Sequence, residues 1–525
     1  MSRRLTLING DIHTMDPHQP RASTVAIEGD RIVEVGSGPD PLPADGDVVD
    51  LGGRCVLPGL VDGHIHFTWY ALGLREVDVR ESASLSEMLE AVARRVEDAP
   101  PDTWIVGRGW DQERWPERRF PTAADLDRVA PEHPVVLRAK NGHALVANSE
   151  ALAKAGVDSE TPDPAGGRIG RDDAGNPNGL LFEGSAMSLV TDSIPEPTPE
   201  ETEEAIRAAF PRAWRVGLTG IHDVDSVRAF SAYQHLHRKG ELGLRIAKYL
   251  PIDKRGAAVE LGVEAGLGDD WLHIAGLKGF VDGALGARTA AMLAPYRGEP
   301  DNRGVLTVEP DELRGWLQTA NANGLPLALH AIGDRANRLV LDAFAEAGTE
   351  GLRHRIEHVQ LLDPADVGRL AELGVIASMQ PIHATQDYEM AERYWGQRCA
   401  TAYAWRSLLE VGTILVFGSD CPVEDLNPFL GIHAAVTRRT PSGAPGPEGW
   451  IPAQRLTVEE AVWAYTRSAA EAVGLDDRLG AVKVGCLADL IVLDRDIFTC
   501  DPMAIADTRV AATMIGGRFF HREID

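Results

Sequence analysis

Eight short apolar segments recur along this chain, and helix-like segments such as 310–322 and 335–347 separate most of them. The eight segments span residues 56–67, 219–225, 244–250, 274–283, 325–334, 354–360, 375–381 and 414–420. Their apolar residues run on without alternation, which is typical of strands buried on both faces of a parallel sheet. A strand followed by a helix, repeated eight times, predicts a closed parallel (β/α)8 barrel of the TIM type. A doubly wound open sheet is the alternative, and the count of eight favours the barrel.

Polar side chains stand at the carboxyl ends of five of these segments. They are His64, His66, Lys278, His330, His358 and Asp420. Strand carboxyl ends meet at one mouth of a closed barrel, so these residues converge although they are far apart in sequence. His64 and His66 are two positions apart in an extended strand and therefore point to the same side. Four imidazoles and one carboxylate suit a divalent cation such as zinc.

Lys278 lies inside an apolar segment, GLKGFV, where a buried ammonium group is costly unless it is paired or deprotonated. One interpretation is that CO2 carboxylates the neutral amine, which gives a carbamate anion able to bridge two cations. The other is that the lysine pairs with Asp282 or another carboxylate, or extends to solvent. The residues alone do not choose between these interpretations.

Both ends of the chain have the character of short strands joined by glycine-containing turns. Residues 1–56 contain such turns, and residues 475–525 repeat the style. We expect the two ends to form one composite β-sandwich and residues 57–474 to form the barrel. The chain between the first two barrel strands, about residues 67–215, is too long for one connecting helix. It predicts an inserted subdomain that covers or shapes the site.

The net charge of −27 disfavours some classes of partner. The chain lacks the excess of lysine and arginine that neutralises nucleic-acid phosphates or anionic membranes, so we expect neither as a partner. The amino-terminal residues form no apolar run of signal-peptide length, and no uncharged apolar stretch reaches the length of a membrane span. The five cysteines lack paired spacing, which fits a reducing compartment. We therefore expect a cytoplasmic protein.

Three residues before the third strand are weaker candidates for substrate binding, each with a plainer structural interpretation. Trp110 either lines an aromatic pocket or packs in the core of the inserted subdomain. His143 either approaches the metal site or forms a loop turn. His222, at the end of the second strand, either faces the site or is a hydrogen-bonded barrel residue.

Three later residues are candidates of the same kind. Asp282 and Arg288 follow Lys278 closely, and they either position the substrate or brace the loop. Gln380 ends the seventh strand, where its side chain can donate a hydrogen bond to a substrate.

Motifs along the whole chain resemble those of the amidohydrolase superfamily, and specifically of amidohydrolase family 3, with its YtcJ-like proteins and N-substituted formamide deformylases. The matching motifs are VLPGLVDGHIHF, GWDQERWPE, KGFVDGALGARTA, HAIGDRA, RIEHVQ, SMQP, FGSDCPVEDLNPF, LTVEEAVWAYTRSAA and VGCLADLIVLDRD. The resemblance implies a barrel flanked by a composite β-sandwich, and a site for one or two divalent cations, with zinc expected. The ligands it implies are His64, His66, carboxylated Lys278, His330, His358 and Asp420.

The function implied by this resemblance is hydrolysis of a non-peptide C–N bond, in an N-substituted formamide or a related amide, by metal-activated water. Asp420 is the expected proton shuttle to the leaving nitrogen, and His330 either binds a cation or polarises the substrate. Two alternatives stay open: a deaminase or cyclic-amide or imide hydrolase of the same superfamily, and a non-catalytic regulatory or binding protein on the same scaffold. The expected partners are a small amide-type substrate and, at most, a second copy of the chain in a homodimer.

Overall fold

The computed structural model describes residues 4–37, 46–112, 115–139, 144–164, 167–286, 288–349 and 351–524. These residues divide into two compact units. Ala71–Ala205 forms one unit, and the rest of the described chain forms the other. The barrel and the strands of both chain ends belong to the second unit. The boundaries predicted for the sandwich, at residues 56 and 475, stay a prediction.

The strands of the described residues form four sheets. In chain order they are β1 (Arg4–Ile8), β2 (Asp11–His13), β3 (Arg21–Ala22), β4 (Thr24–Glu28), β5 (Arg31–Gly36), β6 (Asp47–Asp50), β7 (Cys55–Pro58), β8 (Leu60–Ile65), β9 (Val77–Asp78), β10 (Ile105–Trp110), β11 (Val135–Ala139), β12 (Ala144–Ala147), β13 (Arg168–Arg171), β14 (Pro177–Phe182), β15 (Leu218–Asp223), β16 (Arg245–Pro251), β17 (Leu272–Phe280), β18 (Leu327–Ala331), β19 (Arg355–His358), β20 (Ile376–Met379), β21 (Leu415–Phe417), β22 (Leu490–Leu493), β23 (Val510–Ile515) and β24 (Arg518–Arg522).

Helices connect most of these strands. In chain order the α-helices are α1 (Phe67–Gly73), α2 (Leu85–Glu97), α3 (Ala123–Asp127), α4 (Ser149–Ala155), α5 (Glu183–Thr191), α6 (Pro199–Arg215), α7 (Val227–Arg238), α8 (Arg255–Glu260), α9 (Pro310–Ala322), α10 (Asp334–Ala347), α11 (Arg369–Glu372), α12 (Pro381–Tyr394), α13 (Trp405–Glu410), α14 (Pro428–Thr437), α15 (Val458–Ala464) and α16 (Arg467–Ala472). Short 3₁₀ turns lie at Ile252–Lys254, Pro364–Asp366, Gly396–Thr401, Pro452–Gln454 and Pro502–Asp507. Within the described ranges, none of the helices combines the length and the apolar character that crossing a bilayer requires.

Eight parallel strands form the barrel, and their spatial order is their order along the chain. The order is β8, β15, β16, β17, β18, β19, β20 and β21. Each strand overlaps one of the eight apolar segments recognised in the sequence. Parallel neighbours must be joined by crossovers, and helices such as α9 and α10 supply them. The predicted fold class is therefore confirmed.

The first and last barrel strands meet at a seam closed by backbone hydrogen bonds. The backbone N–H of Asp420 donates to the carbonyl oxygen of His64 at 2.8 Å, and that of His66 donates to Cys421 at 2.9 Å. Gly418 permits this approach, because a Cβ there would lie 2.4 Å from the backbone nitrogen of His64. The seam places Asp420 beside the two histidines of the first strand.

Strands from both chain ends pair in the two sheets outside the barrel. One sheet has the order β5-β4-β1-β6, and the other has the order β24-β23-β22-β7-β2-β3. Apolar side chains of the two sheets share one core, with Leu7 and Val25 from the first sheet and Val56, Leu490 and Met514 from the second. This pairing is the composite sandwich that the sequence indicated.

The apolar segment 56–67, predicted as a single strand, is divided between two sheets at Gly59. β7 pairs with β2 and β22 outside the barrel, whereas β8 begins at Leu60 and pairs with β15. A Cβ on Gly59 would lie 2.2 Å from the Thr219 hydroxyl oxygen, so only glycine allows the chain to pass between the sheets here. The prediction of one continuous strand was wrong for this reason.

The unit Ala71–Ala205 contains a sheet of its own, in the order β13-β14-β12-β11-β10-β9. β9, β10 and β11 are parallel, and the later strands are antiparallel. Helices α2 to α5 belong to the same unit. Its core includes Trp110, Trp115 and Leu137. This unit therefore has the hydrophobic core of an independent subdomain.

Candidate metal centre

His64, His66 and Asp420 bring three potential ligand atoms together beyond the carboxyl ends of the barrel strands. Nε2 of His64 and Nε2 of His66 each lie 3.5 Å from Oδ1 of Asp420. All three ligand atoms lie within 4.8 Å of one another. Two atoms bound at about 2.0–2.1 Å to one tetrahedral cation are separated by about 3.4 Å. The spacing of these side chains therefore fits a divalent cation between them.

A buried carboxylate lies behind His64. Oε2 of Glu357 is 2.5 Å from Nδ1 of His64, and both oxygens of Glu357 accept hydrogen bonds from Arg355, at 2.5 and 2.9 Å. Burial lowers the pKa of His64, but the charges and hydrogen bonds of Glu357 and Asp420 together outweigh burial and hold that pKa above its usual value. An imidazole whose Nδ1 is held by a carboxylate presents Nε2 as its ligand atom. Glu357 therefore orients His64 toward Asp420.

A second carboxylate orients His66 in the same way. Oδ1 of Asp225 lies 3.1 Å from Nδ1 of His66, and Oδ2 accepts the backbone N–H groups of Thr68 and Trp69 at the start of α1. Lys248 donates to the backbone carbonyl of Asp225 at 2.5 Å. Asp225 was not among the sequence-based candidates, although it lies only three positions after His222. Its position after the end of β15 allows it to reach both His66 and the helix.

His358 and Glu357 are consecutive, yet both contact His64. The His358 ring centroid lies 4.9 Å from that of His64, and its Nδ1 is 2.8 Å from Oε1 of Gln380. Regular strand alternation would point Glu357 to the opposite side from His358, and the structure departs from that alternation. His358 has φ +73°, in the left-handed region, which breaks the two-residue alternation at the strand end. Asp420 has φ +59°, so two candidate ligands have strained backbones, as is common at functional sites.

His330 lies beside His358, with ring centroids 4.6 Å apart. Its Nε2 is 3.0 Å from the carbonyl oxygen of Gly283 and 3.5 Å from Oδ1 of Asp282. The Asp282 carboxylate accepts three backbone N–H groups, those of Ala291, Ile332 and Gly333, at 2.8–3.0 Å. Burial raises the pKa of Asp282 to about 7. Asp282 thus ties the loop after β17 to the end of β18, where His330 lies.

Lys278 is buried near the carboxyl end of β17. Its Nζ lies 3.5 Å from the carbonyl oxygen of Gly279 and 4.3 Å above the ring of Phe280. Among the described residues, no carboxylate oxygen lies within 4.0 Å of this nitrogen. The predicted alternative of a direct pair with Asp282 is therefore absent. Burial lowers the pKa of Lys278 to about 8, which increases the fraction of neutral amine at physiological pH.

His383, at the start of α12, was missed by the sequence analysis. Its Nε2 lies 3.4 Å from Oδ2 of Asp420, and its Nδ1 lies 3.2 Å from Oε1 of Glu424. The residue is buried. It lies two positions beyond SMQP, a motif already recognised, so a search of the loops after each strand end would have included it. Hydrogen bonds from His383 and His64, together with the charges of His64 and His358, outweigh burial and hold the pKa of Asp420 well below its usual value.

His222 is buried in the barrel interior beneath these side chains. Its Nδ1 accepts a hydrogen bond from Arg355 at 2.9 Å, and Arg355 in turn bonds Glu357. Burial, together with the charge of Arg355, holds the pKa of His222 well below its usual value. These contacts agree with the plainer interpretation of a hydrogen-bonded barrel histidine, and Arg355 and Glu357 link His222 to His64.

The remaining sequence-based candidates lie in other settings. Arg288 pairs with Glu299 at 2.6 Å, and its guanidinium lies 5.5 Å from the centroid of the Tyr394 ring, a geometry that braces the loop. Trp110 is fully buried in the core of its own unit, and its indole N–H donates to the carbonyl of Leu137. His143 lies outside the described residues.

Comparison with known proteins finds relatives that match almost the whole chain. Protein LONG AFTER FAR-RED 3 of Arabidopsis thaliana is 35% identical, over 98% of this chain and 91% of its own length. The amidohydrolase YtcJ of Bacillus subtilis is 31% identical, over 98% of both chains. An N-substituted formamide deformylase of Arthrobacter pascens is 29% identical, again over 98% of both chains.

Solved structures show the same similarity in three dimensions. An uncharacterized metal-dependent hydrolase from Pyrococcus furiosus superposes with a TM-score of 0.79 at 31% identity, covering 94% of this chain and 100% of that chain. Its counterpart from Pyrococcus horikoshii gives 0.80 at 29% identity, covering 95% and 99%. The sequence model of the amidohydrolase family matches residues 47–521. The match includes every barrel strand and the whole histidine site, and the chain belongs to the amidohydrolase family.

Proposed function

We propose that this chain is a zinc-dependent hydrolase of a C–N bond other than a peptide bond, with an N-substituted formamide or a related small amide as substrate. The observation that carries the proposal is the position of Asp420 Oδ1, 3.5 Å from Nε2 of both His64 and His66. Each of those imidazoles is held from behind by a carboxylate, which is typical of catalytic metal sites. The likeness to an N-substituted formamide deformylase supports the substrate class.

The proposed ligand set holds one or two cations. It consists of His64, His66, carboxylated Lys278, His330, His358 and Asp420. Imidazole nitrogen and carboxylate oxygen are donors that zinc accepts readily, which is why we propose zinc. His330 fits this role because its Nε2 is occupied by the Gly283 carbonyl, so that Nδ1 is the atom available to a cation.

The surroundings of Lys278 support its carboxylation. The neutral amine attacks CO2, an N–C bond forms, one proton leaves, and the side chain becomes a carbamate anion. Burial favours the neutral amine, and the described residues provide no carboxylate within 4.0 Å to hold the ammonium form. The carbamate would supply oxygen donors next to His330 and His358.

In this reaction a bound cation supplies Lewis acidity, lowering the pKa of water and polarising the amide carbonyl. Asp420 accepts one proton of the attacking water while the water oxygen bonds to the carbonyl carbon. Asp420 then gives that proton to the amide nitrogen as the C–N bond breaks, because an amine leaves poorly unless it is protonated. The products are a carboxylic acid and an amine, which ionise to a carboxylate and an ammonium ion. The strongly acidic Asp420 is ionised beforehand, as a proton acceptor must be.

Gln380 is the residue that we propose for binding the substrate. Its Oε1 is taken by His358, while its Nε2 is buried and has no hydrogen-bond partner among the described residues. A buried amide donor without a partner is unfavourable, and an oxygen of the acyl group would satisfy it.

Asp282 and Arg288 are proposed to shape the site by bracing the loop after Lys278.

A substrate panel tests the proposal. Zinc-loaded protein is incubated with N-alkyl formamides, cyclic imides and aminopurines, and formate and ammonia are measured separately. Release of formate and amine, lost after chelation and restored by zinc, is the expected result. Release of ammonia would instead favour the deaminase alternative. Absence of turnover on every compound would favour a regulatory or binding protein.

The absence of a disulfide among the five cysteines supports the proposed cytoplasmic location.

A further inference from the structure

His383 has two carboxylate neighbours and no part in the proposed reaction. Glu424 holds its Nδ1 at 3.2 Å, and its Nε2 lies 3.4 Å from Oδ2 of Asp420. This is the arrangement of His64 and His66, each of which has one nitrogen on a carboxylate and the other 3.5 Å from Asp420. The only difference is that His383 faces the second oxygen of Asp420.

The contact between His383 and Asp420 is a long hydrogen bond of 3.4 Å, and its length is also the spacing of two ligands of one cation. Hydrogen bonds from N–H to oxygen are most often 2.9–3.0 Å long, and charge-assisted ones are shorter. Two ligands at about 2.0–2.1 Å from one tetrahedral cation lie about 3.4 Å apart. The separation of 3.4 Å agrees with the second arrangement. Both His383 and Asp420 are buried. A water molecule between them would need further polar partners to complete its hydrogen bonds.

A third donor completes the set. Ligand atoms of His358, His383 and Asp420 all lie within 4.8 Å of one another. Gln380 occupies Nδ1 of His358, and Glu424 occupies Nδ1 of His383, which leaves Nε2 as the ligand atom of both rings. Two imidazole nitrogens and one carboxylate oxygen form a donor set that zinc accepts, with room left for further ligands.

We propose that His383 is a ligand of a second divalent cation, which it shares with His358 and with Oδ2 of Asp420. Asp420 would then face both cations, with Oδ1 toward the one held by His64 and His66 and Oδ2 toward the one held by His383, and Oδ2 would leave its cation to take the proton of the attacking water. This inference rests on the proposed function in one respect: it takes the first cation to be held by His64, His66 and Asp420. It adds a ligand from the first turn of α12, beyond the six proposed above.

Metal binding tests the role of His383 directly. Apoprotein of the wild type, His383→Ala and His383→Gln is titrated with Zn²⁺ against a chromophoric chelator, and the bound metal is counted by mass spectrometry after desalting. We expect two equivalents per chain in the wild type and, in both variants, a second equivalent that is lost or weakened at least about tenfold. His237→Ala is the matched control, because His237 is a half-exposed histidine that pairs with Asp269 away from the site. This control should bind both equivalents normally.

Cobalt spectra give a readout that a purely structural role would not change. In wild-type protein the second equivalent of Co²⁺ should add a visible absorption band, and the His383 variants should lack it. Circular dichroism and thermal unfolding of both variants establish that they are folded. Two equivalents of unchanged affinity in folded His383→Ala, or a single equivalent in the wild type, would overturn the proposal.

The outcome is separable from that of the proposed function. If the wild type hydrolyses a formamide while His383→Ala retains both cations, His383 is not a ligand and the proposed function stands. If no amide is cleaved, the proposed function fails, and the metal count still decides the role of His383.

Discussion

Asp225 joins His66 to the first turn of the following helix: one carboxylate oxygen lies 3.1 Å from Nδ1 of His66, and the other accepts two backbone N–H groups of α1. Replacing Asp225 by Asn keeps the size of the side chain but removes the charge that makes His66 a stronger donor. We expect Asp225→Asn to lower metal affinity about 10- to 100-fold. Competition with a chelator measures the change, and circular dichroism shows whether the helix start is kept. Unaltered affinity would mean that the contact is only structural.

Glu357 and Arg355 form a buried ion pair, and removing one charge should be costly. Glu357→Gln leaves the guanidinium of Arg355 without its anion in the barrel interior. We expect the unfolding free energy of cation-free protein to fall by about 3–5 kcal/mol, measured by urea denaturation. Glu241→Gln removes the partner of Arg207 in an exposed pair, and this control should cost less than about 1 kcal/mol. Equal losses in the two variants would contradict the argument.

Much of the barrel could be predicted from the sequence because its strands are buried on both faces. Such strands are short, continuous apolar runs, and polar residues interrupt them only where the strands end. For this reason His64, His330, His358 and Asp420 could be located at strand ends before any coordinates were available. The division at Gly59 was hidden, because the apolar run continues through the glycine from one sheet into the other.

The groups that orient the proposed ligands could not be predicted by the same reasoning. Glu357 and His358 both reach His64 because His358 adopts a left-handed backbone, which a strand pattern does not reveal. Asp225 lies in the turn after β15 and His383 in the first turn of α12, both beyond the strands whose apolar pattern located the other candidates. Their roles depend on which distant side chain they meet, and that is set by the closure of the barrel.

His354 should make stability depend on pH outside the metal centre. Its Nδ1 accepts the backbone N–H of Leu327, its Nε2 donates to Asn321, and burial lowers its pKa from 6.5 to about 4. The unfolded chain then binds the proton more readily, so this contribution to stability is complete above pH 6.5. It is lost as the pH falls from 6.5 toward 4.

The expected loss can be isolated with one variant. Between about pH 7.5 and pH 4.5, cation-free wild type should lose about 2–3 kcal/mol more unfolding free energy than His354→Gln, which has no titrating group there. Urea denaturation at both pH values gives the two differences. Identical pH dependence in the two proteins would show that His354 does not titrate as its surroundings predict.

Asp420→Asn separates proton transfer from metal binding. Asparagine retains an oxygen that can face Nε2 of His64 and His66, but it cannot accept a proton from water. We expect kcat to fall by about 10²–10⁴-fold while the cation held by the two histidines is kept. Turnover on the best substrate and metal analysis of the same sample check both parts. A variant with near-normal turnover would remove Asp420 from the proton-transfer role.

Carboxylation of Lys278 can be detected without any substrate. Burial lowers the pKa of this amine to about 8, and the described residues supply no carboxylate within 4.0 Å of it. Zinc-loaded protein equilibrated with ¹³C-labelled bicarbonate should therefore show one carbamate signal by ¹³C NMR. Lys278→Gln, which cannot react with CO2, should lack that signal, whereas Lys254→Gln should retain it, because Lys254 is half-exposed and pairs with Asp253. If the wild type shows no carbamate signal while zinc is bound, the cation is held by the histidines and Asp420 without a lysine-derived ligand.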